Sequence, residues 1–190
     1  MDKKPSKNKN NNKIYKIFLS DQKDHGAVKI RTYNNEEDWA KLTERDKKRQ
    51  KNILKILKNK KFTFTSEDYF MAGIIFQHGT TIADSKKAIS LAKNGAEMGN
   101  DRAKWLFAAA TDRLLLRQKK KQKFGTQYQK KNNKWRLSPV DKKTTDKERA
   151  KYNVVTLKQA RAKAENWNKE GVDPWNQKQR RKTIGIASRK

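Results

Sequence analysis

The chain has 190 residues, 33% hydrophobic and 36% charged, with 49 Lys and Arg against 20 Asp and Glu, two His and no Cys. That length admits one domain with a modest core and solvated tails. The missing cysteine excludes disulfides, a thiolate nucleophile and a Cys-based zinc site, and no apolar run approaches the roughly 20 residues of a membrane-spanning helix.

The formal charge of +29 is unevenly spread. Residues 1–13 carry +4, residues 44–61 carry +7, residues 118–134 carry +7 with no acid, and residues 176–190 carry +6 with no acid. Residues 62–117 hold seven basic against six acidic groups, so a near-neutral centre wears a cationic periphery. Such a surface attracts polyanions through salt-dependent phosphate contacts. Lys outnumbers Arg about three to one, which fits an AT-rich coding bias as well as it fits selection for a ligand, because specific nucleic-acid readers favour the bidentate Arg.

In chain order, residues 1–13 are Lys/Asn-rich and expected to be disordered. The short apolar group "IYKIFL" is interrupted by Lys16, too short for a secretory signal, so a cytoplasmic location is expected. Residues 14–33 read as irregular or short-strand structure. A first helix is expected over about 44–59 with Thr43 as N-cap. A second, over about 67–78, is capped by Thr65 or Ser66, apolar on all faces and therefore buried; Gly79 reads as its left-handed stop. A third spans about 82–98 and ends at Gly99. A fourth runs from Asp101 to about Gln118 behind Asn100, with apolar residues on both faces, including Trp105. The runs 124–128 and 135–137 around an Asn-rich tip read as a hairpin. Thr145 with Glu148, and Thr156 with Gln159, are capping-box spacings for two more helices. The fold expected is mainly α: a compact multi-helix domain of antiparallel helix pairs over 14–175, one small β-hairpin, and disordered basic tails at 1–13 and 176–190.

Several polar residues stand out. Asp112 and Arg113 interrupt an oily helix, and a buried unpaired charge costs several kcal/mol. Either they clasp the structure, with Asp112 accepting N–H groups of the "FGTQ" turn and Arg113 pairing with Asp146 or Glu148, or they floor a pocket. His78 ends the most apolar helix and is either a capping histidine or a general acid/base. Gln122, Gly125, Thr126 and Gln127 supply neutral donors and acceptors, either for the hairpin start or to orient a polar ligand. No metal site is expected, since His25 and His78 are the only histidines and no carboxylates accompany them at ligand spacing. No cofactor is expected.

The runs "DYFMAGIIFQHG", "GNDRAKWLFAAATDRLLL", "QKFGTQY", "WRLSPVD" and "TDKERAKYNV", over about 68–155, together resemble a widespread bacterial family of unknown function. Its members share a Q-H pair, an alanine-rich helix ending in D-R and a Q-x-aromatic-G-T-Q turn. The resemblance implies that Gln77, His78, Asp112, Arg113, Gln122, Gly125, Thr126, Gln127 and Arg149 act as a unit. It implies no reaction.

Two functional readings follow. In the first, His78 and Asp112 as candidate catalytic groups, with Gln77, Arg113, Gln122, Gly125, Thr126, Gln127 and Arg149, form a pocket for a small polar or anionic ligand. That reading requires His78, Arg113 and Gln127 to converge. In the second, the protein binds nucleic acid or the ribosome through Lys119, Lys120, Lys121, Lys130, Lys131, Arg180, Arg181 and Lys182. There Tyr128 and Trp135 either stack on bases or pack in the core. Neither reading involves a membrane.

Overall fold

The computed structural model describes residues 9–25 and 36–174; residues 180–182, named above as nucleic-acid contacts, lie outside them. Seven helices are present among the described residues: α1 (Lys9–His25), α2 (Glu36–Leu57), α3 (Ser66–Gln77), α4 (Ile82–Glu97), α5 (Asp101–Arg117), α6 (Asp146–Lys151) and α7 (Leu157–Lys169). A hairpin, β1 (Tyr128–Lys131) and β2 (Lys134–Leu137), stands between α5 and α6. The architecture is mainly helical, as the periodicity predicts.

The helix starts are written in side-chain chemistry. Thr65 and Asp68 form a reciprocal capping box on α3, as do Thr81 and Asp84 on α4 and Thr156 and Gln159 on α7. Asn100 accepts the Ala103 N–H at the start of α5. On α6 Thr145 accepts from the Glu148 N–H, but Glu148 does not complete the box; its carboxylate pairs instead with Lys123 Nζ at 2.7 Å.

Four expectations are corrected. Residues 14–25 are helical, and α1 begins at Lys9, so the first helix also takes in part of the segment expected to be disordered. The reason is a stripe of Ile14, Ile17 and Phe18 at helical spacing, which buries against the main core. Helix α2 begins near Glu36, where Glu36, Glu37 and Asp38 complement its N-terminal dipole; Thr43 lies within it and donates to the Trp39 carbonyl. The left-handed stop is found at Gly99 (φ 85°) but not at Gly79. Gly79 is needed for space: a Cβ there would stand 2.5 Å from Asp84 and from Gln50 Nε2. Finally, Trp105 remains 45% exposed, so α5 is not covered along its whole outer face.

The main core is built from α1 to α5, with α4 packed against both α3 and α5. It centres on Ile14, Ile53, Phe70, Ile75, Leu91 and Leu106. A second cluster, Ala108, Phe124 and Val154 with Phe107 and Tyr152, sits where the chain leaves α5. The hairpin turns through Asn132 and Asn133 at φ 50° and 56°, the left-handed pair of a two-residue turn. Helix α7 docks on it: Asn168 accepts from the Trp135 N–H and donates to the Trp135 carbonyl, and the Trp167 ring lies 4.7 Å from that of Tyr128. Among the described residues no helix is long and apolar enough to cross a membrane.

Candidate functional site

By their contacts, the polar residues singled out from the sequence fall into three groups. The first surrounds Asp112, which is fully buried. Its Oδ1 accepts the backbone N–H of Lys123 and of Phe124, both at 2.7 Å. Its Oδ2 accepts the Thr126 N–H at 2.9 Å and the Thr126 hydroxyl at 2.8 Å. Gly125, at φ 89°, makes the reversal that lets one carboxylate reach donors on both sides of it. Four donors saturate the carboxylate, so Asp112 has no lone pair left for proton transfer. This is the clasp outcome for Asp112.

The same group includes Gln122, whose Nε2 donates to the carbonyls of Gln127 and Ser138 at 2.9 and 2.7 Å and whose Oε1 accepts the Gln127 N–H at 2.9 Å. Its backbone joins Pro139 and Asp141. The Gln127 side chain donates to Thr126 Oγ1 at 3.0 Å. Arg149, 2% exposed, donates through Nε to the Phe124 carbonyl and through Nη1 to the Thr144 carbonyl and Asp146. Its Nη2 has no hydrogen-bond partner among the described residues. The "QKFGTQ" turn is thus locked from within.

The second group closes the end of α3. Arg113 Nη1 donates to the Gln77 carbonyl, and Arg117 donates to the carbonyls of Gly79 and Thr81 and to Ser85 Oγ. Two guanidinium groups from α5 thereby bind the Gln77 and Gly79 carbonyls past the last turn of α3 and, at Thr81, a carbonyl that already accepts the Ser85 N–H at the start of α4. Burial, and secondarily the like charge of Arg117, pull the Arg113 guanidinium down to about 10. The expected pairing of Arg113 with Asp146 or Glu148 is not formed: Asp146 takes Arg149, and Glu148 takes Lys123.

The third group is built on His78. Its Nδ1 lies 3.0 Å from Asp21 Oδ2 and 3.1 Å from Oδ1. Its ring stacks on His25, with centroids 3.9 Å apart and planes 19° apart. His25 Nε2 lies 2.8 Å from Asp46 Oδ2. Asp46 Oδ1 accepts from Arg49 Nη1 at 2.7 Å, and Arg49 and Arg45 both grip Asp24, holding its carboxyl below the usual range against the opposing effect of burial. Asp21 is fully buried, and Asp46 and Arg49 nearly so. One ligand atom from each of Asp21, His25 and His78 falls within 4.8 Å of the others. The structure therefore supplies the carboxylate that the sequence spacing did not reveal. Asp21 and His25 are four residues apart on α1, one helical face; that signal was hidden because the segment did not read as a helix.

No contact among the described residues joins His78 to the "QKFGTQ" turn; the Gln127 side chain reaches only Thr126 and the Ala109 carbonyl.

Of the cationic candidates, Lys119, Lys120, Lys121, Lys130 and Lys131 are all exposed. Tyr128 and Trp135 pack against Trp167. A larger concavity, about 550 Å³, opens between α1 and the C-terminal part of α2, lined by Lys13, Lys16, Ile17, Asn52, Lys55, Ile56, Asn59 and Phe62. It holds no acid, and residues 47–65 of the sequence contain none either. Set against family models, curated proteins and solved structures, the chain matches none of them.

Proposed function

We propose that the protein binds nucleic acid through the groove between α1 and α2, as a largely sequence-independent phosphate-backbone binder. The observation that carries this reading is the lining of that groove: three lysines and two asparagine amides around an apolar floor of Ile17, Ile56 and Phe62. Lysines neutralise phosphates and release counterions. An apolar floor with one aromatic ring accepts sugar and base faces without selecting a sequence. The neighbouring Lys51, Lys58, Lys60 and Lys61 extend the positive field along the same segment. The "QKFGTQ" turn offers less, because its polar groups already serve one another.

The test is binding of a fluorescent single-stranded oligonucleotide across a salt series. Each phosphate contact contributes a slope of about −0.7 in log K against log salt for a single strand. A Lys13→Gln/Lys16→Gln/Lys55→Gln variant should lower the slope by about two units, and a charge-matched Lys119→Gln/Lys120→Gln/Lys121→Gln variant by clearly less. Equal losses in the two would show that charge acts uniformly and that the groove is not the site.

A further inference from the structure

We infer that Asp21, His25 and His78 form a binding site for one divalent transition cation of the zinc class, with a coordination position left open to water. Two imidazoles and one carboxylate are a donor set for such ions, which in catalytic sites use three protein ligands plus a water. Ligand atoms about 2.0–2.2 Å from a tetrahedral ion stand about 3.3–3.6 Å from one another. His78 Nδ1 and Asp21 are already at 3.0–3.1 Å, and the third ligand atom lies within 4.8 Å of both. Completing the set requires the two stacked rings to rearrange around the ion.

Three further features support the assignment. Asp46, itself held by Arg49, engages His25 at Nε2. That is the carboxylate–histidine arrangement which fixes the tautomer and leaves the other ring nitrogen for the metal. Asp21 is a fully buried carboxylate whose partners among the described residues are one imidazole and the Gln22 amide, so a cation would relieve an expensive charge. Beside His78 a cleft of about 20 Å³ is lined by Asp46, Lys47, Gln50, Gly79 and Asp84 and by neither Asp21 nor His25, with room for one water. Gln50, nearly buried, brings to that cleft an Nε2 with no hydrogen-bond partner among the described residues. A metal-bound water or hydroxide is the acceptor that donor lacks.

The geometry also imposes a requirement. Parallel rings with centroids 3.9 Å apart cannot both hold one ion in their planes, so binding must splay the stack. His78 and His25 are 22% and 18% exposed, so the splay draws on the limited solvent-facing side that both rings keep.

The experiment uses the untagged full chain titrated with Co²⁺ and with Zn²⁺. Because the chain has two histidines and no cysteine, imidazole coordination can be assigned without ambiguity. One equivalent of Co²⁺ should bind with visible d–d bands, and the ring proton signals of both histidines should shift together. His25→Ala and His78→Ala should each weaken binding about a hundredfold or more, and Asp46→Asn, which touches the metal only through His25, about tenfold. Saturation at other than one equivalent, a shift confined to one histidine, or unchanged affinity in His78→Ala would overturn the assignment. The wild-type ring signals decide the matter even if a histidine variant fails to fold.

Discussion

Asp112 and Arg149 hold opposite ends of one residue: Asp112 accepts the Phe124 N–H at 2.7 Å, and Arg149 Nε donates to the Phe124 carbonyl at 2.9 Å. The two charges, buried on elements far apart in sequence, meet across a backbone unit and not directly. Each therefore gains hydrogen bonds in place of water, and the Phe124 ring is driven into the second core cluster beside Tyr152.

The carboxylate should be structural before it is anything else. Asp112→Ala strands three backbone donors and a hydroxyl, and an unsatisfied buried donor costs about 1–3 kcal/mol. A loss of about 3 kcal/mol or more is expected in denaturant unfolding. A loss under about 1 kcal/mol would mean that the turn finds other acceptors and that Asp112 is not its organiser.

Arg149 and Asp112 should be coupled although they do not touch. Both act on Phe124, so once one is removed the turn is already loosened and the second removal costs less. A double-mutant cycle of Asp112→Asn and Arg149→Met should give an interaction energy of about 0.5–3 kcal/mol. Additive losses would show two independent clasps.

Gly79 makes a different demand. Its φ is not in the left-handed region, so Gly79→Ala carries no backbone strain, yet the added methyl would strike Asp84 and Gln50 at 2.5 Å. Asp84 is half of the capping box on α4, so relief by moving it loosens a cap. Thermal unfolding should show a cost of about 1–3 kcal/mol. Near-neutral behaviour would mean that Asp84 and Gln50 can both move clear without loosening the cap.

What the sequence disclosed and what it hid divide along one physical line. Helices α3, α4 and α5 were readable because their boundaries are local events: Thr-x-x-Asp boxes, an Asn cap and a positive-φ glycine, each acting within four residues. Asp112 was readable as an organiser of its turn because the donors follow on the same stretch of chain. Helix α1 was not readable, since its apolar stripe is diluted by Lys and Asn and its stability comes from contacts with α2 and α3. The histidine cluster could not be seen either. Asp21 and His25 come from α1, Asp46 from α2 and His78 from the end of α3, and only packing brings them within bonding distance. Arg113 was misassigned for a related reason: its partner is a carbonyl, and sequence reasoning pairs charges with charges.

The alkaline limb of stability should carry two opposed signatures. Burial pushes the Tyr128 hydroxyl up to about 12, and that hydroxyl donates to the Ala160 carbonyl at 3.2 Å. In the unfolded chain a tyrosine titrates near 10. The neutral phenol is therefore favoured by folding; its contribution is complete below pH about 10 and is lost as pH rises toward about 12. Arg113 behaves oppositely, because its folded value is depressed to about 10. The unfolded chain binds more protons above that pH, so this group returns stability as pH rises. Comparing wild type with Tyr128→Phe isolates the first effect, since phenylalanine cannot ionise and Arg113 is present in both. The stability advantage of wild type over Tyr128→Phe should shrink steadily between pH about 10 and 12. In the same range the ultraviolet titration of the variant should lack the tyrosinate that ionises toward pH about 12. Parallel stability curves would place the Tyr128 hydroxyl in water and sever the tie between the hairpin and α7 on which its burial depends.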